Sequence, residues 1–108
     1  MKDFKCMLGA ACGDIAGSVY EHHNIKYEIS EEKLITEICR FTDDTVMTCA
    51  VAEGICNALS MLSKDWMSDS NSEEILSGQI RESMQKFGRK YPRAGYGGRF
   101  RRWIWEKN

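Results

Sequence analysis

The sequence has a single proline, Pro92, only two histidines, and no run of apolar residues approaching the length of a membrane span. A spanning helix needs about 20 consecutive apolar residues. The stretch after Met1-Lys2-Asp3-Phe4-Lys5 is interrupted by Asp14 after a few residues, so no targeting or membrane segment is expected, and no membrane partner. No C-x-x-C pair occurs among the five cysteines (Cys6, Cys12, Cys39, Cys49, Cys56), and their number is odd. A disulfide framework is therefore not expected, nor is a zinc site, because His22 and His23 lie far from any suitably spaced cysteine pair. Cys12, Cys49 and Cys56 stand among apolar neighbours and read as buried, reduced thiols, which points to a reducing, cytoplasmic setting. No repeat, low-complexity tract or strand-like alternation is found, so the expected class is all-α, a small bundle in which residues 1–108 form one domain.

The charge is nearly balanced but unevenly placed. Residues 1–85 hold 7 Lys/Arg against 15 Asp/Glu, whereas residues 86–108 hold 8 Lys/Arg against 1 Glu. An acidic body thus carries a basic tail in which Arg93, Arg99, Arg101 and Arg102 alternate with Tyr96, Phe100, Trp103 and Trp105. Charge beside stacking surface suits a phosphate, a nucleic acid or an acidic protein face.

Helix signals are unequal along the chain. Between Phe4 and about Tyr20 the residues are small, with Gly9, Gly13 and Gly17 spaced to line one helical stripe that would let another backbone approach. Residues 21–40 show only a weak period and read as a loop with one short helix from about Ser30. From Asp43 to about Leu62 the apolar residues spread over most of a helical cylinder, as a central helix requires. Thr42 caps it, and Asp43 and Asp44 occupy the first turn, where negative charge complements the helix dipole. Residues 63–71 read as a loop. A third helix runs from Asn71 or Ser72 to about Phe87 with an apolar stripe of Ile75, Leu76, Ile80, Met84 and Phe87, and Gly88 as its stop. Tyr91 to Phe100 reads as loop, and a last short helix begins near Trp103. Met47, Met61, Met67 and Met84 read as packing residues.

Two readings of Thr42-Asp43-Asp44-Thr45 are open on local grounds. One is a helix start with acidic first-turn residues and no ligand. The other is a magnesium-type site, since a hydroxyl beside two carboxylates offers three hard oxygens within a turn of backbone. Adjacent helical residues diverge by about 100°, so Asp43 and Asp44 could face two ions, or one ion and a water. His22 and His23, next to Glu21, could serve acid-base chemistry or form a surface pair.

Three segments occur together and in order: Gly13-Asp14-Ile15-Ala16-Gly17-Ser18-Val19-Tyr20-Glu21, Phe41-Thr42-Asp43-Asp44-Thr45-Val46-Met47-Thr48, and Ala94-Gly95-Tyr96-Gly97-Gly98-Arg99-Phe100. In order and rough spacing they resemble the N-terminal part of the ADP-ribosylglycohydrolase family. That resemblance implies an all-helical fold, a binuclear Mg2+ site, and a substrate in which ADP-ribose is joined to a protein side chain or small molecule. It assigns metal ligation to Thr42, Asp43 and Asp44, and catalytic roles to Glu21, Asp43 and Asp44. The loop Gly95, Tyr96, Gly97, Gly98 and Arg99 would lie against ADP-ribose, with backbone N–H groups toward phosphate and the Tyr96 ring as a stacking face. The family's remaining metal ligands come from a second acidic cluster in a C-terminal half, and after Phe100 this chain has eight residues with one acid, Glu106. The expectation is thus a truncated member with half of a two-metal centre, weak or inactive alone. The alternative is a non-catalytic protein, either an ADP-ribose or nucleotide-binding module or an interaction protein such as a mobile-element inhibitor. In it a protein partner or second copy covers the incomplete face around Trp103, Ile104 and Trp105, or the tail 86–108 meets nucleic acid.

Overall fold

A computed structural model describes residues 5–21, 28–30 and 39–107, which include no strand. His22, His23 and most of the segment expected to hold a short helix from Ser30 lie outside them. Four α-helices follow in order: α1 (Lys5–Gly17), α2 (Asp43–Met61), α3 (Ser72–Lys90) and α4 (Gly98–Ile104). A single 3-10 turn, Ser18–Tyr20, extends α1, and another, Trp66–Ser68, interrupts the polar connection between α2 and α3. The fold is all-helical, as the absence of alternating patterns implies.

The α2–α3 pair is the frame of the molecule. Val46, Ala50, Gly54 and Ala58 recur every four residues and are the buried positions of α2. Small side chains on that stripe let the helices approach until a Cβ placed on Gly54 would stand 2.6 Å from the Ile80 Cα and 3.0 Å from the Gln79 carbonyl oxygen. Glycine at 54 is therefore a packing requirement. Ser83, buried on the facing helix, donates to the Ala50 carbonyl oxygen at 2.6 Å, satisfying a hydroxyl that burial would otherwise leave unpaired.

Close approach thus occurs at Gly54, whereas the expected stripe at Gly9, Gly13 and Gly17 meets no described residue: a Cβ on any of the three would stand clear of them. The reason is rotational. α1 buries Ala16 and half-buries Ala11, Asp14 and Ile15, leaving Gly9, Cys12, Gly13 and Gly17 exposed. Cys12 and Cys56 accordingly reach the surface, contrary to the reading of both as buried, and Cys49 is half-buried. Met61 and Met67 are likewise exposed rather than packed. The large apolar residues of α3 (Ile75, Leu76, Ile80, Met84, Phe87) are only half-buried, and Ile55 and Leu59 leave the outer face of α2 apolar.

Gly88 does not end α3. The helix continues through it to Lys90, because Gly88 is where α4 docks: a Cβ there would come within 2.7 Å of Ile104 Cδ1. Likewise α4 begins at Gly98, five residues before its expected start, and Ile104 is buried rather than exposed, at 1 %. Gln85 and Arg89 of α3 hold the far end of α4 through its carbonyls, Gln85 Nε2 to Trp103 O at 2.8 Å and Arg89 Nε to Ile104 O at 2.8 Å. These are the acceptors that a helix C-terminus leaves without intrahelical partners. Val46, Ala94, Tyr96 and Ile104 form the main core cluster, with Met47, Phe87, Tyr91, Phe100 and Trp103 packed around it. The core is centred between the start of α2, the 91–97 loop and α4. Its position ties the acidic motif to the glycine-rich one.

Candidate functional site

Residues 42–45 begin α2, and each free N–H of that first turn has an acceptor. Asp43 N–H donates to the Ala94 carbonyl at 2.8 Å. Asp44 N–H donates to Thr42 Oγ at 3.3 Å, the expected cap. Thr45 N–H reaches Asp14 Oδ2 at 3.3 Å, and Val46 N–H closes on the Thr42 carbonyl at 3.3 Å. A helix N-terminus with free N–H groups attracts anions. This one has none free, and its first turn presents the carboxylates of Asp43 and Asp44, neither of which hydrogen-bonds or ion-pairs through its side chain with a described residue.

Asp14 is the residue that sequence reasoning missed. It lies in the Gly13-to-Glu21 segment with no role assigned, yet it accepts four hydrogen bonds from the 42–45 turn. Oδ1 takes the Thr42 hydroxyl at 2.5 Å, and Oδ2 takes Thr42 N–H at 2.6 Å, the Thr45 hydroxyl at 2.7 Å and Thr45 N–H. Burial pushes the Asp14 carboxyl up, but the bonds from Thr42 and Thr45 outweigh it and hold the group below its ordinary value. Four residues further on, the Ser18 hydroxyl accepts Arg40 N–H at 3.0 Å and pins the approach to Thr42.

The glycine-rich loop stands against the same turn. Besides the bond from Asp43 N–H to Ala94 O, the Asp43 charge reaches Tyr96, whose phenol is pushed up first by burial and then by that carboxylate. Tyr96 is buried at 4 %, and its hydroxyl donates to the Tyr91 carbonyl at 2.8 Å. Its ring is therefore core and not the open stacking face expected of it. Gly95 needs to be glycine for its φ of +97°, a left-handed conformation unfavourable to other residues. Gly97 and Gly98 have ordinary φ and no described atom within 4 Å of where a Cβ would stand, so packing among the described residues gives no reason for glycine there. The first-turn N–H groups of α4, at Gly98, Arg99 and Phe100, meet no acceptor among the described residues, and the Arg99 side chain is exposed.

With the acidic turn and the glycine loop brought together, the chain's family match is informative: the model described as ADP-ribosylglycohydrolase matches residues 4–106. The chain belongs to the ADP-ribosylglycohydrolase family. No curated protein and no solved structure matches it. In this member of the family, Thr42, Asp43 and Asp44 are brought together with Asp14 and with the 94–98 loop. Glu21 is exposed at the end of the 3-10 turn after α1 and forms no hydrogen bond or ion pair with a described residue. Among the described residues no three acidic, histidine or cysteine side chains converge on one point, so an ion at the turn would draw on two carboxylates and a hydroxyl.

Beside the site a groove of about 460 Å³ runs between Phe41 and Tyr91, rimmed by Arg40, Lys90 and Arg93. The two rings meet edge to face with centroids 5.5 Å apart. Another groove, about 780 Å³ and lined mainly by α2 and α3, shares no lining residue with the acidic turn. Within it Lys86 pairs with Glu53 at 2.9 Å. No described helix is long and apolar enough to cross a membrane.

Proposed function

We propose that the chain binds Mg2+ at Thr42, Asp43 and Asp44 and the ADP-ribose part of its substrate against Gly95 to Arg99, as the N-terminal share of a magnesium-dependent hydrolase of ADP-ribose N- or O-glycosidic linkages. The observation that carries this reading is the pairing of every first-turn N–H of α2 within the chain while Asp43 and Asp44 are left without partners. Carboxylates without a hydrogen-bond or ion-pair partner among the described residues can take up a hard cation, and Mg2+ suits a partial oxygen shell because it retains several waters. A bound Mg2+ polarises whichever oxygen it holds and lowers the energy of negative charge developing there. Glu21, exposed and without a described partner, is the acidic group assigned to the reacting ribose or its water. Gly97 and Gly98, which packing among the described residues does not require, together with the open N–H groups of α4, favour a phosphate-bearing ligand. Hydrolysis by this site requires further acidic ligands to complete the ion's shell, beyond those that residues 42–44 supply.

Calorimetry tests the reading. Mg2+ should bind the purified chain, ADP-ribose should bind with Mg2+ present, and both heats should vanish in Asp43→Asn and Asp44→Asn. Absence of Mg2+ binding, or turnover that survives both Asp43→Ala and Asp44→Ala, rules the metal site out.

A second reading rests on the surface. Leu59, Met61, Met67 and Trp105 are exposed, which favours an interaction protein whose partner or second copy covers them. Nucleic acid is the alternative ligand of the tail, through exposed Arg93, Arg99 and Arg102, although Phe100 and Trp103 are already engaged ring to ring at 5.3 Å.

A further inference from the structure

Asp14 is enclosed by donors yet has no part in the reading above beyond holding the turn. A threonine hydroxyl has one proton and two lone pairs, and it serves a cation only when the proton points elsewhere. An ionised carboxylate can only accept, so at 2.5 Å from Asp14 Oδ1 the Thr42 hydroxyl must be the donor. One of its lone pairs takes Asp44 N–H at 3.3 Å, and the other is left. A hydrogen bond donated to a carboxylate also enriches the hydroxyl oxygen in electron density, as carboxylates behind metal-bound imidazoles do for nitrogen. Meanwhile Oδ2 grips Thr42 N–H and both donors of Thr45, so the segment carrying Asp43 and Asp44 is clamped at each side by one side chain from α1.

We infer that Asp14 is a positioning residue that turns the Thr42 proton inward and so makes the Thr42 hydroxyl a cation ligand. This rests on the cation reading of the turn. It differs from helix capping alone, which Asp14 also performs, because orientation acts only through Thr42 whereas capping acts equally through Thr45.

That difference defines the experiment. Mn2+ affinity is measured by electron paramagnetic resonance on the full chain, with thermal unfolding of the same samples. In Asp14→Asn the amide can donate to Thr42 Oγ, reversing the bond and consuming the lone pair, so affinity should fall about 10- to 100-fold. Thr45→Val removes one hydroxyl bond to Asp14 without touching Thr42, so it should lower Tm with Mn2+ affinity unchanged. Asp14→Asn binding as tightly as the unmutated chain overturns the inference, as does an equal loss in Thr45→Val. An unmutated chain that binds no Mn2+ removes the cation reading and the inference together. Should Asp14→Asn not fold, the Thr42 hydroxyl proton of the unmutated chain carries the test by NMR. A slowly exchanging proton that persists on adding Mg2+ supports the inference, and one in fast exchange with water overturns it.

Discussion

Replacing Gly54 by alanine should destabilise the protein, although alanine is the better helix former. The added methyl would stand 2.6 Å from the Ile80 Cα, 3.0 Å from the Ile80 nitrogen and 3.0 Å from the Gln79 carbonyl oxygen. All three are backbone atoms, so no side-chain rotation relieves the clash, and α3 must shift away from α2 as a unit. Overpacking of this kind costs about 1–3 kcal/mol, and rigid neighbours place this site at the upper end. Alanine returns about 1 kcal/mol in helix propensity. The net loss should be about 2 kcal/mol, roughly 8–16 °C in Tm for a domain of this size. Gly78 provides the internal control, since it also lies inside a helix but with open space around its Cβ position. Gly78→Ala should therefore raise stability by up to about 1 kcal/mol. Urea denaturation of the two variants, side by side with the unmutated chain, gives the sign directly. A Gly54→Ala chain as stable as the parent, or shifts of the same sign in both variants, would refute the close crossing of α2 and α3.

Other expectations concern neighbouring contacts. Gly88→Ala brings a methyl to within 2.7 Å of Ile104 Cδ1, so it should lower stability by about 1–3 kcal/mol, and adding Ile104→Val should recover part of the loss. The same denaturation assay decides it, and a double variant weaker than the sum of the singles would exclude direct contact as the cause. Glu53 sits below the ordinary carboxylate range chiefly because Lys86 donates to it; burial opposes this and Ser83 and the charges of Lys86 and Lys90 assist. A depressed folded value means the contribution is present above the unfolded value, near pH ~4.3, and disappears as pH falls through the folded one. Acid should thus remove a stabilisation that Glu53→Gln already lacks, of about 0.2–1 kcal/mol because the pair is exposed and screened by salt. Equal pH dependence of unfolding between pH 6 and pH 3 in both proteins would discount the pair.

The candidate site was legible in part because its chemistry is local. Thr42, Asp43 and Asp44 are consecutive, and a capping hydroxyl followed by two first-turn carboxylates is a pattern that backbone geometry imposes on neighbours in sequence. Asp14 escaped notice because it is 28 residues from Thr42, and nothing in its immediate surroundings reveals the donors that enclose it. Tyr96 was misjudged for a related reason. A tyrosine between glycines looks exposed, but the loop turns back against α2 and α4 and buries the ring among Val46, Ala94 and Ile104.

What the amino-acid order settled unaided was helical class, the extent of α2 to within a residue, its cap, and the family to which three short motifs belong. These follow from hydrogen bonding and side-chain preference over a few residues, which act before any distant contact forms. The tertiary structure alone decided which glycines matter. Gly9, Gly13 and Gly17 have the regular spacing, yet Gly54 and Gly88 have the neighbours, because close approach depends on how a helix is rotated toward its partner and not on the repeat it carries. It also decided that the acidic turn and the glycine loop meet at Asp43 and Ala94, about fifty residues apart, since only the packing of Val46, Tyr96 and Ile104 into one core draws those segments together.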